Sequence, residues 1–167
     1  MVRHADSLAI IILEDNQDRR DAMAERLADR LPQYDVIFAA TSAECIDWLH
    51  RKGASLVAIS LDHDLEPIPR ESQRWMEPGS GLDVAEFLAE QQPMCPVLIH
   101  STNLSAAQQM SALLTPADWP VKCVVPYGDT EWVSEVWFPA LRQGMDQWVR
   151  QRSAQTHNPE IVPSRSC

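Results

Sequence analysis

Short uninterrupted apolar runs alternate with charged stretches of helical period along most of this 167-residue chain, and that alternation restricts the folds open to it. Residues 8–13 (LAIIIL) carry no polar side chain, as a strand buried on both faces of a parallel sheet requires. Met23, Leu27 and Leu31 then recur every four residues through a charged stretch, which predicts an amphipathic helix ending before Pro32. Residues 34–39 read as a second strand. Thr41 and Glu44 stand at capping-box spacing, each side chain placed to accept the other's backbone amide, and open a helix that stops at Gly53. The pattern then repeats, with strands at 56–61, 96–100 and 121–125 and helices from Gly81, over 104–114 and over 130–150. Pro139 has no amide hydrogen and should kink the last helix or start a fresh turn.

Five strand–helix units in succession predict an α/β fold, a doubly wound five-stranded parallel sheet of flavodoxin-like order 2-1-3-4-5 with helices on both faces. Residues 1–150 make this domain, and 151–167, polar with two prolines, a loosely ordered tail. A domain of this size buries enough surface to need no metal or disulfide staple. Cys45, Cys95, Cys123 and Cys167 form no CxxC pair and read as buried free thiols. Twenty-four acids against 14 bases leave a net charge of −10, which argues against broad binding to duplex DNA or an anionic membrane. A small basic pocket for one phosphate is still compatible with that balance. No apolar run has the length of a membrane span, and acids interrupt the first one too soon for a signal peptide, so a cytoplasmic location is expected.

Ligands of such sheets bind beyond the carboxyl ends of the strands, where the strand order reverses. The first strand ends in Glu14-Asp15-Asn16, the third in Asp62-His63-Asp64 and the fourth in His100-Ser101-Thr102-Asn103. These strands are neighbours in the expected order, so the three clusters should converge. Gathered carboxylates repel unless a cation, a proton or a basic group relieves them. Hard oxygen donors are what Mg²⁺ accepts, usually with waters retained. Each cluster alone has a plainer reading: Asp15-Asn16 and residues 101–103 as helix caps, Asp62-His63-Asp64 as a solvated turn. Their common placement favours a shared site.

The stretches LEDNQDRR, ISLDHDL, GSGLDVAEFL and PVLIHSTN resemble the receiver domains of bacterial response regulators. They are still more similar to divergent relatives of these, the cyclic-phosphate processing receiver-like domains, marked by a strand ending in LDHDL and a later HS-x-N. The resemblance spans about residues 8–145. It implies a receiver-like fold, Glu14 and Asp15 as an acidic metal pair, Asp62 as phosphoacceptor and Ser101 as the switch hydroxyl; Asp62 is placed to be a third ligand of the Mg²⁺ that these oxygen donors would accept. The chain departs from receivers after the fifth strand, where Val125 stands in place of a lysine before Pro126 and Lys122 lies too early to replace it. That departure counts against ordinary phosphorelay.

Two histidines are what a receiver does not need and a phosphoesterase uses. Opening a cyclic phosphate takes a base to activate water and an acid for the leaving oxygen, and imidazoles of pKa about 6.5 can do both. On this reading Asp62, His63, Asp64 and His100 are catalytic, while Ser101, Asn103, Arg70 and Arg74 hold phosphate. The ligand is a small cyclic phosphoester or an RNA end. Residues 66–80 are long for a strand–helix connection and read either as a lid, with Arg70 and Arg74 on phosphate and Trp75 on a base or the domain body, or as a flexible insertion. The alternatives are an atypical receiver phosphorylated on Asp62, or a phosphate-binding module without turnover. Any output would run through a protein partner or a homodimer.

Overall fold

A computed structural model describes residues 7–69 and 75–156. Strand β1 (Ala9–Leu13) is wholly buried, as its apolar run requires. Around it lie β2 (Asp35–Ala39), β3 (Leu56–Leu61), β4 (Val97–His100) and β5 (Val121–Val124), all parallel, in the order β2-β1-β3-β4-β5. This is the doubly wound, flavodoxin-like sheet anticipated above.

Alternation of side chains along β1 divides the interior into two cores. Ala9, Ile11 and Leu13 pack with α2 (Ser42–Lys52), α3 (Gly81–Ala89) and α4 (Leu104–Leu114). Ile10 and Ile12 face the opposite way, against α1 (Gln17–Arg30) and the aromatic start of α5 (Phe138–Thr156). Both sides of the sheet are thereby covered.

Local chemistry differs from expectation at several points. Thr41 accepts the Glu44 amide at 3.1 Å, but the Glu44 carboxylate takes the amide of Ala40 at 3.0 Å, one residue before the cap. Helix α5 continues to Thr156, so the first residues assigned to the tail extend the helix, and 157–167 lie outside the described residues. Cys45 and Cys95 are buried free thiols, whereas Cys123 is exposed on the edge strand β5; Cys167 lies outside the described residues. Trp75 is 68% exposed, so the domain body covers little of it. It belongs to a two-strand antiparallel ribbon, Ile68–Pro69 with Trp75–Met76, and Arg70 and Arg74 lie outside the described residues.

Pro139 leaves a clear mark. Just before it, Val133–Trp137 form a π turn in which the Phe138 amide reaches back five residues to the Val133 carbonyl. In an α-helix, residues five apart differ by about 140° around the axis, and the wider turn narrows that angle. Trp132 and Trp137 are consequently both buried in the same core. Among the described residues no helix is long and apolar enough to cross a membrane.

Candidate functional site

Glu14 directly follows β1, Asp62 directly follows β3, and His100 ends β4, so the topology delivers all three to one edge of the sheet. All are buried, and one ligating atom from each lies within 4.8 Å of the others. A polar chain enters this cluster from the core. The Trp137 indole N–H donates to Ser60 Oγ at 2.9 Å, Ser60 Oγ meets His100 Nδ1 at 2.9 Å, and His100 Nε2 meets Glu14 Oε2 at 3.2 Å. Indole N–H can only donate, so the Ser60 oxygen accepts there and its own hydrogen is free for Nδ1. In the neutral imidazole, this network assigns the proton to Nε2, which donates to Glu14. Trp132 stacks on the ring at 5.8 Å between centroids.

Arg19 approaches from α1. Its Nη1 stands 3.5 Å from Asp62 Oδ2 and 3.7 Å from Glu14 Oε2, and its guanidinium lies over Trp132 at 5.7 Å. Asn16 caps α1 by accepting the Arg19 amide at 3.0 Å, which fixes where the side chain begins. Burial pushes the Asp62 carboxyl up to about 6; Glu14's charge adds to this, and His100, the His63 amide and Arg19 only partly oppose it. Burial acts on Glu14 too, but the hydrogen bond and charge of His100, the Asn16 amide and Arg19 together outweigh it and hold that carboxyl below its usual range.

The other anticipated residues divide. Asp15 accepts the Glu66 amide at 2.5 Å. His63 is partly buried: its amide donates to Asp62 Oδ1 at 2.7 Å, and its Nε2 lies 3.7 Å from Asp64 Oδ1. Its Nδ1 is buried with no hydrogen-bond partner among the described residues. Ser101 is buried and accepts the Asn103 amide at 3.0 Å, while the Asn103 side chain caps α4 through Ala106. His100 is fully enclosed with both ring nitrogens engaged, so it does not face His63 across an open cleft as a second acid–base group would. Arg19, His63 and Asp64, less buried than the cluster and bonded to it or to one another, form its rim. Gly81 shapes it from below: its amide donates to the His63 carbonyl at 3.2 Å, and a Cβ there would sit 2.2 Å from the Asp62 carbonyl oxygen. A cavity of about 330 Å³ lies at the opposite ends of β4 and β5, lined among others by Pro96, Pro120 and Trp148, and no cluster residue lines it.

Of the acidic trio read from the sequence, Glu14 and Asp62 form a compact group with His100, while Asp15 accepts the Glu66 amide. Mg²⁺ prefers near-octahedral oxygen donors with several waters. Here one donor of three is an imidazole nitrogen, all four cluster carboxylate oxygens already accept a hydrogen bond, and a guanidinium stands against both acids. With Arg19 in place, the cluster does not suit Mg²⁺.

Sequence reasoning missed Arg19, Ser60, Trp132 and Trp137. Arg19 had left a signal. A cation in the first turn of a helix opposes the dipole, and helical side chains lean toward the N-terminus, here toward the strand ends. Ser60 sits within an apolar run, and nothing in the sequence marks Trp132 or Trp137 as partners of a histidine.

The fold is similar to that of solved receivers at low identity. The phosphorylated cyanobacterial phytochrome response regulator RcpA is 19% identical, covering 84% of this chain and 93% of its own, with a TM-score of 0.57. The response regulator domain of Thermotoga maritima CheB is 14% identical, covering 83% and 96%, with a TM-score of 0.57. A two-component transcriptional regulator AraC from Clostridium phytofermentans is 21% identical, covering 89% and 99%, with a TM-score of 0.58. No curated relative matches the chain. The sequence profile described as the cyclic-phosphate processing receiver domain matches residues 9–116. The chain belongs to that family.

Proposed function

We propose that this domain binds a cyclic phosphoester, such as an RNA 2′,3′-cyclic phosphate end or a cyclic nucleotide, over Asp62 at the rim formed by Arg19, His63 and Asp64, and hydrolyses it. The observation that carries the reading is the Arg19–Asp62 ion pair at 3.5 Å beside the partly buried His63, whose amide donates to Asp62 and whose Nε2 lies near Asp64. The guanidinium offers a planar fork for phosphate oxygens. His63 takes a proton from water as the water oxygen bonds to phosphorus. One ring P–O bond breaks, and Asp62, partly protonated near neutral pH, gives a proton to the departing ribose oxygen. One water is added and nothing is oxidised. His100 acts as a positioning residue, holding Glu14 and, through it, Arg19. Ser101 and Asn103 serve phosphate by their place at the start of α4. Arg70 and Arg74 belong to this proposal only as loop cations from the sequence.

A second reading is phosphorylation of Asp62 as in response regulators, with output through a protein partner. Arg19 favours it also, because it brings to Asp62 the cation that Val125 cannot supply. The two readings part under one experiment. Incubation with 2′,3′-cyclic and 3′,5′-cyclic AMP, followed by ³¹P NMR, should yield a monophosphate, while beryllofluoride should form no stable adduct on Asp62. An adduct without turnover would favour the signalling module.

A further inference from the structure

We propose that Arg19 is the resident cation of the cluster, standing where a divalent metal would sit between Glu14 and Asp62, and that the site therefore holds divalent metal well only when Arg19 is removed. This does not rest on the phosphoester reading, since it concerns which cation the carboxylates keep. Arg19 is fixed from three sides: its amide by Asn16, its guanidinium over Trp132, and its Nη1 within ion-pair distance of both acids.

The oxygens around it are engaged as well. Glu14 accepts from the Asn16 amide at 3.0 Å and from His100, and Asp62 accepts from the His63 amide and from Arg19. Asp15, the further acid that a metal would recruit, is held by the Glu66 amide. A divalent ion entering beside the guanidinium would meet like charge at short range, next to two acids buried enough that water screens the repulsion only in part.

Removing the guanidinium inverts the balance. Two buried carboxylates are then left without their cation, and a His nitrogen lies within 4.8 Å of both. An imidazole with two carboxylates suits Mn²⁺, Co²⁺ or Zn²⁺ better than Mg²⁺. With such an ion on His100 Nε2, the ring proton would sit on Nδ1 and donate to Ser60 Oγ, already 2.9 Å away, once the Ser60 hydroxyl turns from donor to acceptor.

The test is Mn²⁺ binding to the full chain, by calorimetry and by electron paramagnetic resonance of free ion, for the natural protein and Arg19→Met, which keeps an apolar stem over Trp132. Arg19→Met should bind Mn²⁺ about tenfold more tightly or better, and a further His100→Ala should remove the gain. Equal affinity in the natural protein and a folded Arg19→Met would overturn the proposal. A measurement on the natural protein guards against a variant that fails to fold: Mn²⁺ should leave the Trp132 indole N–H resonance sharp. Selective broadening of that resonance at low Mn²⁺ would equally overturn it.

Discussion

Burial holds the Asp62 carboxyl at about 6, above its ordinary 3.8, and the consequence for stability has a definite sign. The native state binds this proton more tightly than the unfolded chain does. Its favourable contribution is therefore full below pH 3.8 and lost as pH rises through about 6. Glu14 runs the other way: its lowered pKa contributes stability above the ordinary 4.5 that fades as pH falls. Asp62→Asn, which removes the buried charge at nearly constant shape, should stabilise the protein at pH 7 by about 1–3 kcal/mol and hardly at all near pH 3.5. Urea denaturation at both pH values checks this, and destabilisation at pH 7 would contradict it. Ser60→Ala strands two buried groups, the Trp137 indole N–H and His100 Nδ1, and should cost about 2–4 kcal/mol in the same assay. Glu14, Asp62 and His100 could be placed from the sequence because each is bound to a strand end. Ser60 could not, since a serine inside an apolar strand gives no sign of which helix it will meet.

Backbone approach decides the geometry of the elements around the site. The first turn of α3 comes so close to the residues after β3 that only glycine fits at 81, against a carbonyl oxygen that has no rotamer to change. Gly81→Ala should destabilise the fold by about 2–3 kcal/mol and shift the backbone amide resonances of Asp62 and His63. Unchanged stability and spectra would show that α3 does not control the rim. Strand and helix positions were legible from periodicity because two-sided burial and helical amphipathicity leave different patterns. The π turn was legible only as a disturbance at Pro139. Its result, two tryptophans five residues apart sharing one core, depends on a helix widening that periodicity does not encode.

At the scale of the molecule, a chain of net charge −10 brings Glu14 and Asp62 together at the ends of two neighbouring parallel strands and meets them with Arg19 from α1 and His100 from β4. The strand order that makes this convergence possible followed from the repeated strand–helix units. The identity of the cation did not, because Arg19 is brought in by the capping and packing of α1 rather than by a strand end. The central claim is hydrolysis of a cyclic phosphoester by His63 and Asp62 against Arg19, and it calls for one kinetic comparison. The rate of 2′,3′-cyclic AMP hydrolysis should be followed by ³¹P NMR in chelator, for the natural protein, His63→Ala and Arg19→Met. The natural protein should form monophosphate, and each variant should lose about 10²-fold or more while remaining folded. A natural protein that leaves the cyclic phosphate intact, or a His63→Ala variant that cleaves it at the natural rate, would contradict the account.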